Sequence, residues 1–220
     1  MPNSDSLTRY LQRLPTLITF FFSVMLVTVF RELSVAFSWT SAPSFSFREL
    51  SHVLTAVSFL ATLFFVVSVW LSYSLLIERF PYTLDFTVFF FDVARFSVLF
   101  MIFNHAFLAA NPPQYVHYIA MLAVFHVLMA FWHAHRRRGL PADRTAERAE
   151  RSWDVRGHLV RVGTYAGLAL VYYLAVTMRW QASEPWVLHA ALVLFTSALL
   201  VYWNAKRLGE MKAKALAVQA

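Results

Sequence analysis

A chain of 220 residues, 59% apolar and only 14% charged, lies outside the soluble range of roughly half apolar and about a quarter charged. With Cys at 0, disulfides, thiolate metal sites and cysteine nucleophiles are excluded. A net charge of +7 invites a nucleic-acid reading, but the charges fall where one side of a membrane would hold them.

Six apolar stretches predict six transmembrane helices, at residues 14–30, 52–77, 82–108, 114–133, 158–178 and 185–202. Several approach or exceed the ~20 residues that cross a hydrocarbon core. Each must be helical, because lipid offers the backbone no hydrogen-bond partners. The first stretch is too long for a signal-peptide core and no small-residue cleavage site follows it, so it reads as a retained span.

Between the first two spans, residues 33–50 carry Phe37, Trp39, Phe45 and Phe47 among small polar residues, a composition that suits the aromatic belt of a membrane interface. The pentapeptide Phe-Arg-Glu-Leu-Ser occurs at 30–34 and again at 47–51, as a charge collar on each side of this loop. The second span brings Ser68, Ser72 and Tyr73 toward its end, within reach of the third span's acids.

The third span is rich in phenylalanine yet holds Asp85, Asp92 and Arg95. At 1.5 Å per residue, Asp85 is about one turn inside the boundary, while Asp92 and Arg95 are roughly 13–20 Å in. Asp92 and Arg95 are i, i+3 and share a helix face, so they can pair. A central charge costs at least about 2.5–3.5 kcal/mol against lipid, so this face belongs to the bundle, another subunit or water. Asn111, Pro112 and Pro113 then make a tight turn, which sets residue 95 level with about residue 128. His126 falls within about a turn of Arg95, and the three side chains are expected to form one buried polar cluster.

Residues 136–156 are basic, and from Asp143 they predict a short amphipathic helix between the fourth and fifth spans. Arg136, Arg137, Arg138, Arg144, Arg148 and Arg151 are the candidates for docking anionic lipid or a cytosolic protein partner. Their alternation with acids argues against nucleic acid. The fifth span contains Gly163 and Gly167, a small groove for helix approach within the subunit or between subunits. Residues 179–184 form a short connection that makes the last two spans antiparallel neighbours and leaves no room for a pore loop.

Topology follows from the basic residues. With the N-terminus cytoplasmic, that side collects 15 of the 19 Lys+Arg, which fits an even span count with both termini inside. His52, His105, His117 and His189 then lie near the outer boundary, as candidates for a metal or haem iron. His133 and His158 can meet at a similar depth near the inner one.

The expected protein is therefore an all-α integral membrane protein of six spans, in a bacterial-type inner membrane, working as a homo-oligomer among membrane lipids. Its first functional reading is ion or proton conduction, with Asp92 and Arg95 lining or gating the path, His126 assisting and Asp85 at the mouth. The alternatives are a non-conducting sensor or scaffold that recruits a cytosolic partner, and a redox subunit with His-ligated metal or haem. No phosphate loop, nucleophile elbow or His-Glu-x-x-His occurs, so an enzyme is not expected, nor is a cofactor.

Overall fold

The computed structural model describes residues 50–79, 86–106, 112–140, 142–177 and 185–219, with isolated positions between 16 and 27. The expected first span, the loop that follows it and Asp85 lie outside these residues, apart from the isolated positions. Five helices follow in order: α1 (Leu50–Arg79), α2 (Phe86–Ala106), α3 (Pro112–Arg138), α4 (Thr145–Thr177) and α5 (Pro185–Gln219).

Local chemistry sets their ends. Proline opens α3 and α5, where the first-turn N–H groups have no helical partner to lose. The last turn of α3 holds His135, Arg136, Arg137 and Arg138, cations that favour the negative end of a helix dipole. Beyond it, the Gly139 N–H donates to the His135 carbonyl and the Leu140 N–H to the Arg137 carbonyl. The first turn of α4 answers with Glu147, paired to Arg144 at 3.4 Å.

Among the described residues, four helices contain segments long and apolar enough to cross a membrane: His52–Ser74, Thr87–Ala106, Pro113–Arg138 and Val187–Met211. Their outward side chains agree with an apolar surround. Leu60, Phe90, Phe131 and Phe195 are 61%, 63%, 60% and 52% exposed, a display that soluble monomers rarely carry at this scale.

α4 differs from the expectation. The predicted separate amphipathic helix is the first part of one continuous helix of 33 residues, about 50 Å long. No proline interrupts it, and Gly157 at the join costs a helix only about 1 kcal/mol. The basic segment and the apolar run that follows are thus one rigid rod.

Close packing links α3 to α4, α2 to α3, α1 to α5 and α1 to α2. Across the bundle, Thr62 on α1 hydrogen-bonds Tyr118 on α3 at 2.7 Å, and Phe65 meets Phe125 edge-on at 5.2 Å. Although consecutive, α4 and α5 are not a closely packed backbone pair. Long side chains bridge them instead, with Tyr172 bonded to His189 and Tyr165 edge-on to Trp203.

Candidate functional site

Polar side chains in the bundle gather on two faces of α3. Residues 126 and 133 are seven apart, so they point within about 20° of each other, while residues 129 and 132 turn away from them by about 40–120°. The Met129 and Trp132 face meets α2. The His126 and His133 face meets α4.

On the α2 side, Arg95 Nη2 pairs with Asp92 Oδ1 at 3.0 Å, both side chains buried. The Tyr73 hydroxyl on α1 donates to Asp92 Oδ2 at 3.1 Å. Arg95 reaches toward Met129 Sδ at 3.7 Å and lies over the rings of Tyr73, Phe96 and Trp132 at 4.4, 4.9 and 5.7 Å. The guanidinium therefore meets a carboxylate and the π-electrons of three rings, two ways of holding a charge away from water. Trp132 is shared, since Arg136 and Arg151 also stand over it, at 5.1 and 5.8 Å. The expected level of residue 95 is met by Met129. His126 points elsewhere, because three residues along a helix is enough to turn a side chain to another neighbour.

On the α4 side, His126 Nδ1 lies 3.0 Å from His158 Nδ1. One ring must carry its proton on Nδ1 and the other on Nε2 for this contact to be a hydrogen bond. The His158 ring stacks on His133, with centroids 5.2 Å apart. His133 Nδ1 is 3.3 Å from Arg151 Nη1 and 3.4 Å from Asp154 Oδ2. All three imidazoles are buried. Tyr165 stacks flat on His126 at 5.5 Å, one step toward the far end of the bundle. The meeting of His133 with His158 was legible in the sequence as a matter of depth; their link to His126 was not.

The docking candidates separate into two sets. Arg137, Arg138 and Arg144 are exposed. Arg136 turns onto Trp132, and Arg148 Nη2 donates to the Leu140 carbonyl at 2.6 Å. Arg151 is buried and faces His133. Burial pushes its guanidinium down from the ordinary arginine value, an effect that Asp154 partly offsets.

At the opposite end, the four outer histidines do not form one group. His105 and His117 face each other across α2 and α3 with centroids 6.3 Å apart. His189 is buried, bonded to Tyr172 and edge-on to Tyr115 at 5.8 Å. His52, at the start of α1, is half-buried. Among the described residues, no three His, Cys, Asp or Glu side chains converge as a metal site would need.

The sequence reading missed Trp132 as a hub for three arginines, and Tyr165 as the ring under His126. A tryptophan or tyrosine in an apolar span carries no signal that separates a hub from ordinary core. Comparison with protein-family models, curated proteins and solved structures finds no match for this chain.

Proposed function

We propose that this chain is a six-span membrane protein with both termini cytoplasmic, and that it relays protons through the imidazoles between α3 and α4. The contact that carries the reading is His126 Nδ1 to His158 Nδ1 at 3.0 Å. Two buried imidazoles joined in this way form a proton-transfer pair.

The transfer balances simply. A proton taken up at Nε2 of His158 lets its Nδ1 proton pass to His126 Nδ1, and His126 releases its own Nε2 proton onward. Two tautomers exchange and one proton moves. His133, stacked on His158, and Asp154, 3.4 Å from His133 Nδ1, lie toward the basic end, the cytoplasmic one in this reading. Toward the other end lie Tyr165, stacked on His126, and the Tyr118–Thr62 hydroxyl pair, about 12 Å along α3 from His126. In this reading Asp92 and Arg95 hold the helices in register beside the relay.

The test is proton flux in proteoliposomes loaded with a pH dye. Flux down an imposed pH gradient, lost in His158→Gln and in His126→Gln, is the expected result. Absence of flux from the wild-type protein at every pH and potential would sink the proposal.

A further inference from the structure

At the basic end, a cavity of about 420 Å³ opens between α4 and α5. It follows from the failure of these two backbones to pack closely. Its walls have helical spacing. Trp153, Arg156, Gly157, Val160 and Arg161 stand at i, i+3, i+4, i+7 and i+8 on α4, and Trp203, Lys206, Arg207 and Glu210 at i, i+3, i+4 and i+7 on α5. Gly157 keeps part of the wall open, since a Cβ there would meet nothing within 4 Å.

We infer that this cavity binds a phosphate-bearing anion. Four cations from two helices line it, Arg156, Arg161, Lys206 and Arg207, against the carboxylates of Asp154 and Glu210. The lining therefore keeps an excess of positive charge that a single dianion neutralises. Arg161 is already ordered, with its guanidinium 5.6 Å above the Trp203 ring. Guanidinium forks match the paired oxygens of a phosphate, and a preset fork loses less entropy on binding. The volume lies within the roughly 300–1,000 Å³ of small-ligand sites.

Depth adds a second argument. From Pro185, Trp203 is about 27 Å and Arg207 about 33 Å along α5, the level at which a hydrocarbon core of ~30 Å gives way to headgroups. Trp153 and Trp203 at the rim suit that boundary. The phosphate can come from an anionic lipid headgroup in the leaflet or from free phosphate in the adjoining water. The site stands independently of proton conduction, because it is defined by binding alone.

The experiment uses the full chain in nanodiscs and reads its unfolding temperature. In phosphatidylcholine discs, inorganic phosphate is titrated against chloride at constant ionic strength. In a second arm, phosphatidylglycerol replaces part of the phosphatidylcholine. A rise in the first arm assigns the soluble source and a rise in the second the lipid, since a ligand that binds only the folded state stabilises it. The joint change Arg161→Gln and Arg207→Gln should abolish the rise. Glu210→Gln, on an exposed side chain, should tighten binding by about 1.5- to fivefold. No rise in either arm overturns the inference. So does a rise that is unmoved by Glu210→Gln, a variant that keeps the test valid should the double arginine variant fail to fold.

Discussion

His126 Nδ1 and His158 Nδ1 lie 3.0 Å apart in the interior of the bundle, one on α3 and one on α4. Thirty-two positions separate them in the chain, and the hairpin through residues 139–144 brings them level. If this pair carries protons, each ring is needed for a function that neither its size nor its packing supplies. His158→Gln keeps a polar side chain of comparable reach but cannot take up and release a proton near neutral pH. Proton flux in liposomes should fall by at least about tenfold, judged against typical contributions of positioned acid–base groups. Retained flux in a folded variant would assign the pair to structure alone.

Asp92 and Arg95 make the opposite prediction, because their pairing is buried on every side. Asp92→Asn leaves a buried guanidinium without its counter-charge and should destabilise the fold by about 3–5 kcal/mol. Replacing both, as Asp92→Leu with Arg95→Met, should recover most of that loss. Reversible unfolding in mixed micelles measures the two, and equal losses for single and double variants would refute the pairing as the cause.

Tyr73→Phe isolates one bond in that cluster. The ring under Arg95 stays, while the hydroxyl that donates to Asp92 Oδ2 goes. A hydrogen bond to a charged group is worth about 1.5–3 kcal/mol, so this variant should lose less stability than Asp92→Asn. The same unfolding assay checks the order.

Gly163 and Gly167 face outward from α4, and a Cβ at either meets nothing within 4 Å. The groove expected from their spacing is therefore not filled by another helix of the same chain among the described residues. Alanine at either position should be neutral or raise stability by about 0.5–1 kcal/mol through helix propensity. A clear loss of stability, or a change of mass in detergent by light scattering, would mean that a second copy covers this face.

Much of the site was legible through spacing. Asp92 with Arg95 follows from i, i+3, and Tyr73 reaching Asp92 follows from depth along two antiparallel helices. The level of residue 95 against residue 129 follows from the short turn at Pro112. Direction around the helix axis did not follow. A nearly uniformly apolar helix has no polar side to fix its rotation, so the expected grouping of His126 with Asp92 and Arg95 gives way to a contact with His158 on α4. The basic segment misled for a related reason. Its charges marked a surface helix, but three of its arginines, at 136, 148 and 151, contact the protein's own groups.

The sequence alone determined an all-helical chain with several segments built to lie in lipid, because apolar length and backbone hydrogen bonding leave few other solutions. It determined the Asp–Arg pair as well, since both partners sit on one helix face and a buried charge needs a partner. Tertiary structure alone decided that His126 joins His158, that Trp132 gathers three arginines, and that α4 and α5 part to leave a basic cavity. These depend on helix rotation and on the gap between backbones. Both are set by how bulky side chains interlock, which a pattern of residue types along one chain does not encode.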